Sequence, residues 1–452
     1  MRLILLVLAL ALADVRAFAQ ATPEDLQKRI AALETELARL KAQGSDAGRL
    51  DELARRIDLL AAELEKARTG GATDVEAPTK GEPGLGPAAS KIYRRTSGGV
   101  SIGGYGEVLF GAPSGTRQDG APSEAHKRLD LLRYVTYLGY KFSDKILLNS
   151  EVEFEHATTG EGAEERGEAS VEFAYLEFRP WKSAGFRAGA LLMPLGFLNE
   201  LHEPPIFHGA RRNEVETQIV PATWSENGVG LFGQGGGFRW RTYVVAGLSS
   251  AGFAADGIRE GRQHGSQSLA DDVAFTGRLD FVGAPGLVLG GSMFVGNSGQ
   301  RAEIDGRRIR GRVTLFDVHA QYEQRGFQVR ALYARSTVGD AASINAQNGL
   351  VGAESVGSRQ YGFYAEAAYD LMTARPRGQW AVVPFARYER LNPQDRVPAG
   401  FEKDPTLDQT VWTAGVAVKP LHNVVMKGDY QWASNKAREG VNRLNLAVGY
   451  LF

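Results

Sequence analysis

"VVMKGDYQW" (residues 424–432) changes character at every step: Val424, Met426, Gly428, Tyr430 and Trp432 form one row, and Lys427, Asp429 and Gln431 sit on the other. A period of two is that of a β-strand with one apolar and one polar face. "VTLFDVHAQY" (313–322) repeats the pattern, with Phe316, Val318, Ala320 and Tyr322 opposed to Asp317, His319 and Gln321. In a soluble sandwich the apolar row points into the core. In a membrane barrel it points to lipid and the polar row lines the lumen. A Lys or Arg facing lipid at the midplane costs about 2–4 kcal/mol. In a barrel, the faces carrying Lys427 with Asp429, Arg278 with Asp280, and Arg387 with Glu389 must therefore look inward.

The number and spacing of such segments decide between the two. Candidate strands start near residues 99, 127, 145, 169, 185, 228, 237, 271, 286, 311, 326, 357, 379, 407, 422 and 441, an even tally of sixteen. Short connections (143–144, 284–286, 325–326) interleave with long ones (112–126, 250–270, 338–356). Short turns at one end and long loops at the other are the pattern of bacterial outer-membrane barrels, which a soluble barrel does not require. The expected fold is an all-β transmembrane barrel of 16 antiparallel strands, preceded by an α-helical coiled coil.

The N-terminal part has another composition. An apolar run from Leu3 to Leu12, followed by Ala17 and Ala19 in a small-x-small arrangement, reads as a signal peptide over 1–19. Leu26, Ile30, Leu33, Leu37 and Leu40, then Leu50, Leu53, Ile57, Leu60 and Leu64, form two heptad seams within 20–68, one rod or a helical hairpin. Residues 69–98 are rich in Gly, Pro and Ala, lack an apolar period and read as a flexible linker to the barrel domain at 99–452. The chain has no cysteine, which removes disulfides and thiolate metal sites.

The densest set of reactive side chains is "LHEPPIFHGARRNEVE" (201–216). His202 and Glu203 begin like a zinc-protease helix, but the second histidine of that motif falls at Ile206, and Pro204 and Pro205 interrupt a helix there. No G-x-S-x-G elbow occurs, so no hydrolase is expected, and nothing points to a cofactor, a metal or nucleic acid. The segment lies in the connection at 192–227, the longest on the long-loop side. Long connections without a secondary-structure pattern are usually functional. Its charges accompany Leu195, Phe197, Leu198, Ile206, Phe207, Ile219, Val220 and Trp224, which need a surface to pack on, so an inward-folded loop satisfies both demands. Arg211 and Arg212 are adjacent, so one is expected to face the solute path while the other pairs with Glu203 or Glu214. His208 lies in the same stretch. Lumen-lining candidates include Arg133, Glu151, Glu153, Glu155, Arg187, Arg278, Arg330, Arg387, Lys427 and Asp429. Their signs nearly balance, and the glutamate row at 151, 153 and 155 is read as opposing arginines across the pore.

The chain ends "RLNLAVGYLF" (443–452), with Val448, Tyr450 and Phe452 on its apolar row. This resembles the C-terminal signal that barrel-assembly machinery reads in outer-membrane proteins. "LLMPLGFLNELHEPPIFHGARRNEVETQIVPATWSENGVGLFG", with "GYGEVLF" at the first strand and the terminal Phe452, further resembles the phosphate-selective porin O and P family over most of 99–452. The resemblance implies a trimeric sixteen-stranded porin whose third long loop narrows the lumen, with Arg211, Arg212, His202, Glu203 and Glu214 at or near the constriction. It implies an outer-membrane location in contact with lipid and diffusion of small polar or anionic solutes, phosphate among them, although the many lumen acids depart from a basic phosphate path. The coiled coil is expected in the periplasm. It also suits a tether to peptidoglycan, in which case the barrel would be closed or plugged.

Overall fold

The computed structural model describes residues 31–33, 35, 82–95, 98–158, 167–374 and 378–452. The chain divides into two units, Met1–Ala77 and Pro78–Phe452. Within the first unit the four described residues are helical. The expected signal peptide, and the rest of the expected coiled coil, lie outside the described residues.

The second unit holds eighteen described strands. They are β1 (Gly99–Pro113), β2 (Arg128–Ser143), β3 (Ile146–Glu155), β4 (Ala169–Phe178), β5 (Ala184–Leu192), β6 (Ser225–Gly235), β7 (Phe238–Ala246), β8 (Val273–Phe281) and β9 (Leu287–Gly296). The two-residue strands β10 (Glu303–Ile304) and β11 (Arg307–Arg308) follow, then β12 (Val313–Gln324), β13 (Phe327–Val338), β14 (Arg359–Tyr369), β15 (Ala381–Arg396), β16 (Gln409–Leu421), β17 (Val424–Asn435) and β18 (Arg443–Leu451). β10 and β11 form a small hairpin of their own, and the other sixteen close into one antiparallel barrel in which β18 pairs with β1. The strands begin within three residues of the positions expected from the sequence. Period-two alternation maps onto a barrel because successive side chains of each strand point to opposite faces of the wall.

Turns between strands split by length. At the end where β1 starts and β18 finishes most are tight, such as Arg325–Gly326 between β12 and β13, with φ values of 51° and 83°, the longer connection 370–380 between β14 and β15 being the exception. Positive φ at both central residues is the type I′ geometry that matches strand twist, and it favours glycine at the second position. The other end carries the long connections, including 193–224, 247–272 and 339–358.

Burial alternates along each strand as required for a filled interior. In β17, Val425, Lys427, Asp429 and Gln431 are buried, while Met426 and Trp432 on the outward face are exposed. Lys427, Arg278 and Arg387, with their acidic neighbours Asp429, Asp280 and Glu389, all lie on the buried inner face. Outward aromatic side chains gather toward both ends of the barrel. Phe316, Tyr333, Phe363, Tyr388, Trp412 and Trp432 lie toward the long-loop end, and Phe178, Phe186, Phe238 and Phe281 toward the short-turn end. Two aromatic bands bounding an apolar belt are the outer profile of barrels built for a bilayer.

The interior is packed by three sets of residues. Near the short-turn end, residues 82–95 run inside the barrel, and Leu85, Ala88, Ala89 and Ile92 are almost wholly buried. This corrects the expected flexible linker over its described part. "GLGPAAS" has no apolar period because it packs as a compact coil, and its small residues let it fit against the wall, where a Cβ on Gly103 would lie 2.9 Å from the Ala88 carbonyl. The middle is occupied by 193–224. Toward the long-loop end, Leu248, Phe253, Ile258, Ile309 and Ile344, the last from helix α1 (Ala341–Asn348), join the same buried apolar cluster.

Candidate functional site: the segment inside the barrel

The long connection leaves β5 and returns to β6 through a knotted neck of hydrogen bonds. The Met193 amide donates to the Trp224 carbonyl at 2.9 Å. Asn199 spans the same neck: its side-chain amide donates to the Met193 carbonyl (2.6 Å) and the Trp224 carbonyl (3.0 Å), and its side-chain oxygen accepts from the Trp224 amide (2.6 Å). Trp224 is fully buried against Phe294 of β9, so the base of the loop is anchored by packing as well as polarity.

The tip turns on Glu216. Its carboxylate accepts from the backbone amides of Phe197 (2.5 Å) and Leu198 (2.7 Å), from the Tyr364 hydroxyl of β14 (2.6 Å) and from the Asn213 side chain (3.2 Å). Four donors on one fully buried carboxylate offset the desolvation of its charge. Gly196 adopts φ +60°, and a Cβ there would lie 2.4 Å from Glu216 Oε2, so both conformation and space select glycine. Its amide donates to Asp317 Oδ2 at 3.0 Å, and its carbonyl accepts from Arg278.

The charged stretch is tied to the inner wall at several strands. His202 bonds Glu151 of β3 through Nε2 at 3.0 Å, and its Nδ1 lies 3.0 Å from the Asn199 carbonyl. Lys427 of β17 donates to the Gly209 carbonyl at 2.9 Å while lying 3.5 Å from the centre of the Phe207 ring, a cation–π contact. The Ala210 amide donates to Asp429 (2.5 Å), and the Glu214 amide to Glu389 of β15 (2.6 Å). His208 lies against the Phe385 ring, and burial lowers its pKa to about 4, so it is neutral at pH 7. From the long-loop side Arg259 donates to the Thr217 carbonyl and Arg262 to the Ala222 carbonyl, both at 2.7 Å.

Glu203 faces the short-turn end. Its Oε1 accepts from the amides of Ala88 and Ala89, each at 3.0 Å, which joins the inward loop to residues 82–95. Burial pushes its carboxyl up to about 7 even though both amides favour the ionised form. The rest of 82–95 is fixed to the wall by Asn149 on the Ala89 carbonyl (3.0 Å), by the Tyr93 hydroxyl on Glu177 (2.9 Å) and by Arg179 on Glu82 (2.9 Å).

Most of the loop is buried, but Arg211, Arg212 and Glu214 keep accessible surface. Their partners differ from those expected. Arg211 donates to Asn445 of β18 at 3.1 Å and Arg212 lies 3.5 Å from the His202 carbonyl, so neither pairs with Glu203 or Glu214. Glu203 is instead committed to Ala88 and Ala89. The glutamate row on β3 differs too: Arg133 sits on neighbouring β2 and lies 3.0 Å from Glu153 and 3.3 Å from Glu155. Adjacent strands bring these signs together: Arg133 is one cation shared by Glu107, Glu153 and Glu155, and Glu151 meets His202 of the inner segment, so the row finds its partners beside it and not in arginines across the barrel. Arg187 pairs likewise with Glu177 of β4 (2.5 Å), and Arg387 with Glu366 of β14 (3.2 Å) and with Glu389 on its own strand (2.8 Å). Arg330 lies over the Phe197 ring of the loop at 4.9 Å.

Asn199, Glu200 and Glu216 were not singled out in the sequence. Glu200 pairs with Arg241 at 3.0 Å. Asn199 and Glu200 stand as a pair between Leu198 and Leu201, company expected of buried rather than solvated polar groups, whereas Glu216, between Val215 and Thr217, carries no such local signal.

No family model matches the chain. An uncharacterized protein of Aquifex aeolicus (strain VF5) is 37% identical over 377 residues, covering 82% of this chain and 83% of that protein. Among solved structures, Salmonella typhi OmpF in complex with daunomycin superposes with a TM-score of 0.51 at 11% identity, over 78% of this chain and 97% of that one. The outer-membrane channel DcaP of Acinetobacter baumannii gives a TM-score of 0.48 at 11% identity, over 79% and 98%. On the OmpF likeness the sixteen-stranded barrel has an outer-membrane porin fold, and by its sequence the chain belongs to one family with the Aquifex aeolicus protein.

Proposed function

We propose that the protein is an outer-membrane porin for diffusion of small polar or anionic solutes, narrowed inside by residues 193–224, with Arg211 and Arg212 at the narrow part. The observation that carries this reading is that, in a segment mostly buried against the inner wall, Arg211, Arg212 and Glu214 are the charged residues that retain accessible surface, whereas Glu200, Glu203 and Glu216 are buried. Fixed charge in a narrow passage with low-dielectric walls acts strongly on permeating ions. The basic pair favours anions, while Arg133 and Arg387 offset part of the acidic charge of the inner wall. Phosphate as a preferred solute rests on the motif resemblance, as does the trimer. The short-turn end is read as periplasmic, which puts the expected coiled coil there.

A second reading, a tether whose barrel is plugged, is favoured by the docking of 82–95 inside the short-turn end. Planar-bilayer conductance under a salt gradient separates the two. A porin conducts with an anion-shifted zero-current potential, and replacing Arg211 and Arg212 by Ala moves that potential toward cations. A sealed barrel gives no conductance. Unchanged selectivity and conductance in the double variant would remove the constriction reading.

A further inference from the structure

The outward face of a bilayer-spanning barrel should avoid charge, yet three arginines stand on it together. Inward positions of β13 are the even ones, such as Leu332, Ala334 and Ser336, all buried, so Tyr333 and Arg335 face out. On β14 the buried Gln360, Tyr364 and Glu366 leave Arg359, Tyr361 and Phe363 outward. On β15 the buried Arg387, Glu389 and Leu391 leave Tyr388 and Arg390 outward.

The register fixes their neighbours. Arg335 is flanked by Phe316 on β12 and Tyr361 on β14, and Tyr333 is opposite Phe363, which is opposite Arg390. Arg359 stands one outward step beyond Tyr361, toward the long loops. The three guanidinium-bearing positions therefore lie at and just above the aromatic band of that end, the depth at which lipid headgroups meet the acyl chains. Two of them are partly satisfied: Arg359 pairs with Asp395 and Arg390 with Asp408. Arg335 has no carboxylate within ion-pair distance among the described residues. Arg335, Arg359 and Asp395 share an open cleft with the rings of Tyr333, Tyr361 and Phe363.

We propose that this cleft binds the phosphate of a phosphorylated lipid headgroup in the surrounding leaflet, with Arg335 as the principal donor and Arg359 beside it. A guanidinium offers planar paired donors that match phosphate oxygens, and binding there would supply the counter-charge that Arg335 lacks. The flanking rings offer faces to the sugar or glycerol part and to the first methylenes of the chains. Aromatic density on this arc, continuing through Tyr388, Trp412 and Trp432, is what a headgroup boundary calls for. The inference rests on the membrane location given above.

The full chain, purified in detergent micelles, is titrated with a diphosphorylated acyl-disaccharide lipid, with the same lipid after phosphate removal and with inorganic phosphate, and binding is read by native mass spectrometry. The phosphorylated lipid should bind best. Arg335→Gln should weaken it by about fivefold or more, the worth of one cation at a charged headgroup layer, and Arg335→Lys should lose less. Heat-shifted gel migration reports that each variant is a folded barrel, and Arg335→Leu serves if the glutamine variant is not. Equal affinity in the folded variant, equal binding of the dephosphorylated lipid, displacement by inorganic phosphate at matching concentration, or a changed oligomeric state in place of changed lipid binding would each overturn the proposal. Conductance of the same preparation is read separately. A silent barrel that still binds the phosphorylated lipid removes the pore reading alone, and a conducting barrel indifferent to Arg335 removes this site alone.

Discussion

Glu216 and Glu203 show how two buried carboxylates in one loop take opposite roles. Glu216 is satisfied by four donors and holds the loop's own shape, so Glu216→Gln turns an acceptor-only group into one that presents an amide to donors. Mismatching buried donors costs about 1–3 kcal/mol. The expected outcome is a barrel that still migrates as folded but is cut by protease within 193–224, where the wild type is resistant; equal resistance would show that the carboxylate is dispensable. Glu203 has a different task, because its partners belong to residues 82–95. Burial raises its carboxyl to about 7, above the ordinary value near 4.3. The docked state therefore binds the proton more tightly than a state with Glu203 in water. Its contribution to docking is fully present below about pH 4 and is lost as pH rises through 7. Conductance should accordingly increase between pH 5 and 8, and Glu203→Gln, which cannot ionise, should flatten that dependence. A wild-type conductance independent of pH over this range would count against the coupling.

Among the elements, the strands and the inner segments differ in how their residues announce themselves. The alternation of Lys427 and Asp429 with Met426 and Tyr430 was legible because each strand position reports only whether it faces in or out. The end of the barrel at which each turn is short could be read from spacing alone. Residues 82–95 could not, because Ala88 and Ala89 meet Glu203 more than a hundred positions away and no local period records that contact. The same limit explains the Arg212 and Glu203 partners, since a loop's polar contacts depend on which wall strand it meets. The inner docking of 82–95 makes its own prediction. Ile92 is 1% exposed, and its side chain occupies the space that a Cβ on Gly139 would need, with Ile92 Cβ only 2.7 Å away. Ile92→Asp buries an unpaired charge and should release the segment, raising single-channel conductance while leaving barrel migration on gels unchanged. Conductance equal to wild type would mean that 82–95 does not obstruct the path.

The whole barrel depends on one seam that joins its two ends. β1 and β18 pair at Tyr105 with Leu451 and onward to Pro113 with Arg443, a contact between the first and last strands of the unit. Closing it requires every intervening strand to be in register, so the loop-closure cost is met late in assembly. Phe452 extends the seam by one step. Its amide donates to the Gly104 carbonyl, and the Gly104 amide donates to its carbonyl, both at 2.9 Å. Its ring stacks on Tyr134 at 6.1 Å and fills a notch at Gly104, where an added Cβ would lie 2.5 Å from the ring. The backbone bonds survive Phe452→Ser but the ring contacts do not. If Phe452 mattered only through burial, that variant would lose less than the about 1.5–3 kcal/mol of a fully buried ring, since Phe452 is 41% exposed, and would still reach the membrane in good yield. A larger defect is expected on the reading that "RLNLAVGYLF" serves as an assembly signal, in which the same ring is offered for recognition before the seam closes. Tyr134→Ala separates the two contributions: it removes the ring's stacking partner in the finished barrel but leaves the terminal aromatic and its backbone bonds intact. Phe452→Ser should therefore lower the amount of folded barrel in the outer membrane more than Tyr134→Ala does, read by heat-shifted migration of membrane fractions. Normal yield of the serine variant, or a defect no greater than that of Tyr134→Ala, would assign Phe452 to packing alone.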